Sequence, residues 1–198
     1  MRIVFQERYK EVYSADPAAT QGRLDKACEI LQADYEFVEP DYASEEDIQL
    51  VHTEAHIDRI KEKRQLYELS LLAAGGAIKA AELAWNSKPC FGLIRPPGHH
   101  ASKDSCWGFC WFNNIAVAME KLKKNNNINN ALIVDFDLHF GDGTNAFFRG
   151  RQDVTYHHLG PMQELPSVLQ GIQECDIIGL SAGFDRHEQD WGGELSTA

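Results

Sequence analysis

A group of acidic and imidazole side chains in the middle of the chain has the residue types and spacing of a metal site. The apolar run 131–134 predicts a buried strand, and Asp135, Asp137 and His139 follow it at alternate positions. Alternate side chains of an extended chain point the same way, so these three would share one face where the strand ends. Carboxylates and an imidazole held together away from water are unfavourable unless a cation lies among them. An acidic turn with a solvated histidine is the alternative, and this spacing alone does not decide between the two.

Two other loops carry similar residues, and each of them follows a predicted strand. The apolar run 90–94 leads into the loop that contains His99 and His100, and the apolar run 176–181 leads to Asp185. Strands and helices alternate along most of the chain, which predicts an α/β domain with a mostly parallel sheet. Because ligands of such sheets bind beyond the carboxyl ends of the strands, the three loops are expected to meet there.

The metal ligands predicted from this arrangement are Asp137, His139 and Asp185, with zinc as the ion. Zinc accepts imidazole nitrogen and carboxylate oxygen, and a catalytic zinc takes three protein ligands and leaves one position for water or substrate. Binding to the metal lowers the pKa of that water and polarises a carbonyl group. The predicted chemistry is therefore hydrolysis of an amide.

The catalytic groups predicted beside the metal are His99 and His100. Histidine titrates near neutral pH, so the pair can exchange protons with a substrate or a water molecule. Asp135 and Asp142 are predicted to accept hydrogen bonds from the two histidines and so to tune them. A weakly metal-adhesive histidine pair on a surface turn is the alternative interpretation of this loop.

Composition restricts the classes of function. The 198 residues fit one domain, and the net charge of −11 argues against direct nucleic-acid binding while it suits a cationic substrate. The five cysteines are odd in number and form no CxxC pair, which favours a reducing compartment. We find no signal peptide or membrane span and expect a soluble, cytoplasmic protein. His52 and His56 have no partner motif nearby and are predicted to be surface or packing residues.

Four ordered segments resemble successive motifs of the zinc-dependent histone deacetylase superfamily. This superfamily includes the acetylpolyamine amidohydrolases and the acetoin-utilisation proteins, and it shares its fold with the arginases. The segments are RPPGHHA at 95–101, GFCWFNN at 108–114, VDFDLHFGDG at 134–143 and SAGFD at 181–185. Together with weaker similarities in the N-terminal half, the matches span most of residues 20 to 190, and their order makes them highly specific.

The resemblance implies an arginase-like three-layer α/β/α sandwich that removes acetyl groups from lysine side chains or polyamines. It implies zinc on Asp137, His139 and Asp185, which agrees with the ligand set derived from the residues themselves. Family members also hold a structural potassium ion near Asp135, Asp137 and His139, largely through backbone oxygens. The histidine pair and the aromatic segment that follows it favour the deacetylase branch over manganese chemistry of the arginase type.

The resemblance also implies roles for the histidine pair. His99 would pair with Asp135 and supply electrostatic help, whereas His100 would pair with Asp142 and act as the general base.

A substrate channel is implied as well. Phe109, with Gly108 before it, would line one wall of the channel for the acyl-lysine side chain. The loop that carries a second channel aromatic in the family is expected to be lost between Gly160 and Leu165.

The sequence departs from the family pattern after Asp185. The family places a tyrosine in a glycine-rich loop well beyond the third metal ligand, where it donates a hydrogen bond to the polarised carbonyl. All six tyrosines of this chain precede Asp185. The last strands and their covering helices are also expected to be missing, which would leave a sheet edge bare. A fragment, a natural truncation and a short relative that completes itself as a homo-oligomer are the three explanations left open.

Three hypotheses about function follow. The first is a zinc-dependent deacetylase that cleaves acetyl groups from acetylated lysine peptides or acetylpolyamines. The second is a metal-binding relative that recognises acylated amines without turnover. The third is a remnant whose ligands survive only as ancestry.

Overall fold

Parallel strands that alternate with helices make up the described part of the chain, which in this computed structural model is residues 1–86, 88–160, 164–170 and 175–197. The strands are β1 Arg2–Val4, β2 Glu36–Val38, β3 Cys90–Gly92, β4 Ala131–Asp135, β5 Val154–His158 and β6 Ile177–Ser181. The α-helices are α1 Asp25–Asp34, α2 Glu45–Ile48, α3 Glu54–Lys61, α4 Arg64–Asn86, α5 Asn114–Lys124, α6 Asp142–Phe148 and α7 Leu165–Gln170. Short 3-10 helices span Glu7–Lys10 and Pro17–Ala19.

The described strands pair in two three-stranded parallel sheets, in the orders β2-β1-β3 and β5-β4-β6. In the first sheet Ile3 lies opposite Phe37 and Phe91. In the second sheet Ile133 lies opposite Tyr156 and Gly179. The predicted α/β class with parallel strands is confirmed, but the hydrogen-bonded pairing divides these strands between two sheets instead of one.

Helices cover both faces of the second sheet. Ile133 belongs to the largest buried apolar cluster, together with Val117 and Leu122 of α5. Leu132 and Val134 point the other way along β4, and they form a separate cluster that packs against α7. Because both faces of β4 are buried, its sequence is a continuous apolar run without polar alternation. This helix–sheet–helix packing is the three-layer arrangement that the family resemblance implies.

The strand β6 lies at one edge of the second sheet. Two of its apolar side chains face solvent, with Ile178 45% and Leu180 61% exposed. Among the described strands β6 therefore has one partner only, β4, and its outer edge and these side chains are uncovered.

The helix boundaries agree with the sequence only in part. One helix is predicted over about 54–66 and another over 69–85, whereas α3 ends at Lys61 and α4 begins at Arg64. The helix predicted over 165–175 is present as α7, and its positions 171–174 lie outside the described residues. Nowhere in the described ranges does a helix combine the length and the apolarity needed to cross a bilayer.

Side-chain caps fix where several helices begin. Ser44 and Asp47 form a reciprocal capping box at α2. The Thr53 hydroxyl accepts the backbone N–H of the third residue of α3, and the Asn113 side chain accepts that of the third residue of α5. Each cap satisfies a backbone donor that has no partner within the helix.

Two adjacent glycines lie inside α4, where each costs about 1 kcal/mol relative to alanine, and this cost predicts that another part of the backbone packs closely there. A Cβ atom on Gly75 would lie 2.8 Å from the backbone nitrogen of Ala43 and would overlap the carbonyl oxygen of Asp41. A Cβ atom on Gly76 would overlap the Tyr9 hydroxyl. Segment 41–43 therefore packs directly on the α4 backbone.

We predict that Gly75→Ala lowers the free energy of unfolding by about 1–3 kcal/mol, because the added methyl group overpacks this contact. The direction of the change tests the contact, since in an unobstructed helix the replacement of glycine by alanine would instead raise the free energy of unfolding by about 1 kcal/mol. Urea unfolding followed by circular dichroism measures the change. Gly92→Ala is the control, because its Cβ would meet its nearest neighbour at an ordinary 3.6 Å. An unchanged or higher stability of Gly75→Ala would contradict the packing.

Candidate metal centre

The loops after β4 and β6 bring Asp137, His139 and Asp185 together. One ligand atom from each residue lies within 4.8 Å of the other two. The His139 Nδ1 atom lies 2.8 Å from Asp185 Oδ2 and 3.2 Å from Asp137 Oδ1. One imidazole nitrogen and two carboxylate oxygens suit zinc, and a single ion about 2.0–2.2 Å from each atom could bridge this spacing. The residues present therefore fit the implied metal.

Backbone N–H groups hold the carboxylates of this centre in place. The strand β4 ends at Asp135, so the strand alternation predicted for Asp135, Asp137 and His139 is wrong beyond that residue. A turn takes over, in which the N–H of Asp137 donates to Asp135 Oδ1 at 3.1 Å and the N–H of His139 donates to Asp137 Oδ1 at 2.8 Å. The N–H of Leu138 donates to Asp185 Oδ1 at 3.0 Å. The turn orients the cluster through its own backbone.

A glycine makes room for one of these carboxylates. A Cβ atom on Gly183 would lie 2.6 Å from Asp137 Cβ and would overlap the Asp137 carboxylate. The segment that leads from β6 to Asp185 can therefore pass against the first loop only because position 183 has no side chain.

The structure places the two adjacent histidines next to this cluster, each on a carboxylate. The Nδ1 atom of His99 lies 2.9 Å from Asp135 Oδ2, and that of His100 lies 2.6 Å from Asp142 Oδ1. The two imidazole rings are 4.0 Å apart between centroids. Because a carboxylate only accepts hydrogen bonds, each histidine carries a proton on Nδ1 and directs Nε2 away from its aspartate.

The environment separates the pKa values of the two histidines. Burial lowers the pKa of His99, but the hydrogen bond and charge of Asp135 outweigh it, so that the pKa is raised overall. For His100 burial outweighs the hydrogen bond to Asp142, and the pKa is lowered. Burial raises the pKa of Asp142, but hydrogen bonds from His100 and Trp107 outweigh it and the pKa is lowered.

Two indole rings contact histidines of the site; the sequence indicated an aromatic segment after the histidine pair, which includes Trp107, but it did not indicate Trp191. The Trp107 ring stacks on His100 at a centroid distance of 3.7 Å, and its Nε1–H donates to Asp142 Oδ2 at 2.9 Å. The Trp191 ring lies nearly perpendicular to the His139 ring at a centroid distance of 5.6 Å. Both indoles are largely exposed.

The predicted channel residues lie in the turn beside the first of these indoles. A Cβ atom on Gly108 would be 2.7 Å from the His100 ring, so this glycine lies directly against the imidazole. Phe109 is half-buried and has a φ of 62°, a left-handed backbone that is uncommon outside glycine. The predicted loss of a channel loop between Gly160 and Leu165 falls largely on positions 161–163, which lie outside the described residues.

Tyr156 is a further residue that the sequence did not reveal. Its hydroxyl donates to Asp135 Oδ2 at 3.2 Å and accepts the N–H of Gly141 at 3.1 Å. Burial and the charge of Asp135 raise the pKa of Tyr156, so the phenol stays protonated. Asp135 therefore receives hydrogen bonds on the same oxygen from Tyr156 and His99.

A network of buried hydrogen bonds around Asn113, called the scaffold below, holds the loop of His99 and His100 in place. The N–H of Asn113 donates to His52 Nε2 at 2.9 Å, and its side-chain amide donates to Ala101 O and Thr144 Oγ1, both at 3.0 Å. The N–H of Thr144 donates to His99 O at 3.0 Å. The start of α5, the start of α6 and the histidine loop are thus tied together.

His52 and His56, predicted to be surface or packing residues, are packing residues. Both are buried, and their rings stack at a centroid distance of 4.9 Å.

The fold and the site define a class of protein: an α/β domain with a metal-type Asp-His-Asp cluster beside a histidine pair. A sequence profile of the histone deacetylase domain matches residues 16–159. A probable deacetylase of Methanothermobacter thermautotrophicus is 32% identical over 211 residues, which cover 78% of this chain and 63% of that protein. The polyamine deacetylase HDAC10 of Danio rerio is 32% identical over 169 residues, 72% of this chain and 25% of that protein. This chain belongs to the histone deacetylase domain family.

A solved structure shares the fold. The crystal structure of the HDA15 HD domain superposes with a TM-score of 0.84 and 23% identity, covering 98% of this chain and 75% of that one. The chain spans 63% and 25% of the lengths of the two curated relatives above. The matched profile ends before Asp185, so the place of this residue in the cluster is a result of the structure.

We predict that acid weakens the scaffold through His52. Burial, and after it the neighbouring His56, lowers the pKa of His52 to about 3. A histidine in the unfolded chain titrates near pH 6.5, so below that pH the unfolded chain binds a proton that the folded chain does not. The contribution of neutral His52 to stability is therefore complete above pH 6.5 and is lost as the pH falls towards 3. From the pKa shift of this one group we expect the free energy of unfolding to be about 2 kcal/mol lower at pH 5 than at neutral pH.

Urea unfolding at pH 7.5, 6 and 5 measures this loss. His52→Gln keeps an acceptor for the Asn113 N–H but cannot titrate, so its stability should fall less steeply with acid than that of the native chain. His187→Gln, in the C-terminal segment, is the matched control for the loss of an imidazole that is not part of this scaffold. Equal slopes for His52→Gln and the native chain would contradict the prediction.

Proposed function

We propose that this chain is a zinc-dependent amidohydrolase that removes acetyl or other acyl groups from lysine side chains or polyamines. The observation that carries the proposal is the meeting of the Asp-His-Asp cluster with the histidine pair, where His99 Nε2 lies 3.9 Å from Asp137 Oδ1. A metal-type cluster and a proton-transfer pair in contact are the two parts that metal-assisted amide hydrolysis requires.

Asp137, His139 and Asp185 would hold the zinc ion. When bound there, zinc lowers the pKa of a coordinated water and polarises the carbonyl of the amide. The backbone N–H groups of Leu138 and His139 donate to the carboxylates of Asp185 and Asp137 and would hold them in place for the ion. Such preorganised donors contribute because they need no reorganisation during the reaction.

His100 would act as the general base and then as the general acid. Its lowered pKa keeps the imidazole neutral near pH 7, and the bond from Nδ1 to Asp142 leaves Nε2 to take a proton from the attacking water. The same nitrogen would return that proton to the amine that leaves. The pKa of His99 is raised by Asp135, which favours its protonated form, and in that form His99 would stabilise the negative charge that develops on the carbonyl oxygen.

A cationic or lysine-like acylated amine suits the surroundings of this site. The net charge of −11 attracts positively charged molecules over a distance of about one Debye length. The exposed indoles of Trp107, against His100, and Trp191, against His139, offer apolar faces on which an alkyl chain or a cation can pack. One relative is by name a polyamine deacetylase, which agrees with this substrate class.

A second candidate function is a relative that binds the metal and acylated amines without turnover. The observation that favours it is the position of Tyr156, a tyrosine that hydrogen-bonds a carboxylate of the site. The hydroxyl of Tyr156 is already engaged by Asp135 and Gly141 and lies behind the histidine pair. Loss of one donor to the oxyanion typically lowers the rate by about 10²–10³-fold.

We predict that Asp185→Ala abolishes stoichiometric zinc binding, because two protein ligands remain where a catalytic site needs three. Metal analysis after dialysis against a weak chelator measures zinc per chain. Asp58→Ala is the matched control, since this exposed helix aspartate pairs only with Lys61 in the described contacts. Full zinc content in Asp185→Ala would refute the ligand assignment.

We predict that His100→Ala retains zinc and lowers kcat on a fluorogenic acetyl-lysine peptide by about 10²–10⁴-fold, the usual contribution of a general base. Equal turnover in the variant would remove His100 from the mechanism. In the native chain, zinc with hydroxamate binding but no turnover would favour the second candidate function. Absence of zinc from the native chain would exclude both.

A further inference from the structure

A buried positive charge lies directly behind the Asp-His-Asp cluster. Arg186 follows Asp185, and only 4% of its surface is exposed. Its Nε–H donates to Phe136 O at 3.0 Å and to Asp137 O at 3.3 Å, and its Nη2 donates to Asp137 O at 3.1 Å and to Leu159 O at 2.8 Å. Three backbone carbonyl oxygens therefore converge on one guanidinium.

The guanidinium cross-links the loops that form the site. Two of the carbonyls belong to the loop after β4, the third follows β5, and Arg186 itself follows β6. The N–H of Leu159 donates in turn to Asp135 O at 2.7 Å. The remaining end of Arg186, Nη1, pairs with Glu194, which partly balances its charge.

The same loop is where the family resemblance implies a potassium ion held by backbone oxygens. The described residues do not fit that ion. The carbonyl of Asp137 accepts two N–H groups from Arg186, so this oxygen is already engaged by a positive charge. A second cation against a buried guanidinium would also meet electrostatic repulsion that the protein interior screens poorly.

We propose that the Arg186 guanidinium is a built-in cation that takes the place of a structural potassium ion, so that the metal centre of this chain assembles without a monovalent metal. A guanidinium is always charged and has five donors in a planar fork, so it can satisfy several carbonyls at fixed angles. Since it is covalently attached next to Asp185, its local concentration does not depend on the salt in solution. Arg186 is thus a positioning residue for Asp137 and Asp185.

The native chain provides the first test, without zinc and without substitution. An ion that binds only the folded state raises the thermal midpoint as its concentration increases. We expect the midpoint of the zinc-free chain to stay constant when potassium chloride replaces choline chloride at fixed ionic strength. A midpoint that rises with potassium would overturn the proposal.

Variants at Arg186 provide the second test, with the affinity for Co²⁺ measured from its visible absorption. Arg186→Ala should lower the thermal midpoint, weaken Co²⁺ binding about 10- to 100-fold, as loss of a partner behind the ligands typically does, and make the midpoint respond to potassium. Arg186→Lys keeps the charge and should stay insensitive to potassium. If Arg186→Ala does not fold, the native chain and Arg186→Lys still decide the question.

Arg95→Ala is the matched control. Arg95 is 5% exposed, and its guanidinium also donates to backbone carbonyls, among them Tyr9 O at 2.8 Å and Glu11 O at 3.2 Å, in another part of the fold. Its loss should lower the thermal midpoint but leave the potassium response and Co²⁺ affinity at native values. Equal effects of Arg95→Ala and Arg186→Ala on Co²⁺ binding would reduce Arg186 to a general structural role and overturn the proposal.

The inference rests on the proposed metal centre only for the Co²⁺ measurement. If the native chain binds neither Zn²⁺ nor Co²⁺, the proposed function fails, whereas the potassium response of the zinc-free chain still tests Arg186. If the metal binds and the native midpoint rises with potassium, the proposed function stands and the role of Arg186 does not.

Discussion

Negative charge concentrated at the ends of two neighbouring strands is the constraint on which the rest of this structure depends. The carboxylates in question are those of Asp135, Asp137, Asp142 and Asp185. Such groups cannot approach one another out of water unless hydrogen bonds and positive charges compensate them. The chain supplies backbone N–H groups in the turn after β4, three imidazoles, a tyrosine hydroxyl and a guanidinium. The proposed zinc ion would add the largest local charge, and it would lie among ligands already held in place from behind.

This compensation links the site to the stability of the core. Asn113 begins α5, yet its amide also holds the loop after β3 and the start of α6, and its backbone N–H depends on a neutral His52. Protonation of that imidazole would turn its Nε2 acceptor into a donor that faces another donor. The histidine pair is therefore supported by a buried network whose own protonation has to stay fixed.

The sequence predicted the parts of the site that local pattern encodes. An apolar run that stops at an acidic residue marks the end of β4, and the histidine pair and Asp185 follow β3 and β6 in the same way. Arg186 and Tyr156 were not predicted, because their partners lie about fifty and twenty residues away along the chain and no spacing rule connects them. A break between two helices was predicted near residues 67–68, but it lies at residues 62–63, because the apolar periodicity runs through the true boundary. The division of the strands into two sheets could not be read either, because β-pairing is set by tertiary contacts rather than by each strand's own residues.

The two histidines show how a difference in burial of their partner carboxylates can give two identical side chains different protonation states. Asp135 is fully buried, so its charge acts on His99 through a medium of low polarity and outweighs the loss of hydration. The Asp142 side chain is 50% exposed, so water screens its charge and burial dominates for His100. One imidazole then favours the protonated form and the other the neutral form, although their rings are 4.0 Å apart. Each form also supports the other, because a positive charge on His99 further lowers the proton affinity of His100. This asymmetry, and not the residue type, makes His100 the better candidate for the base.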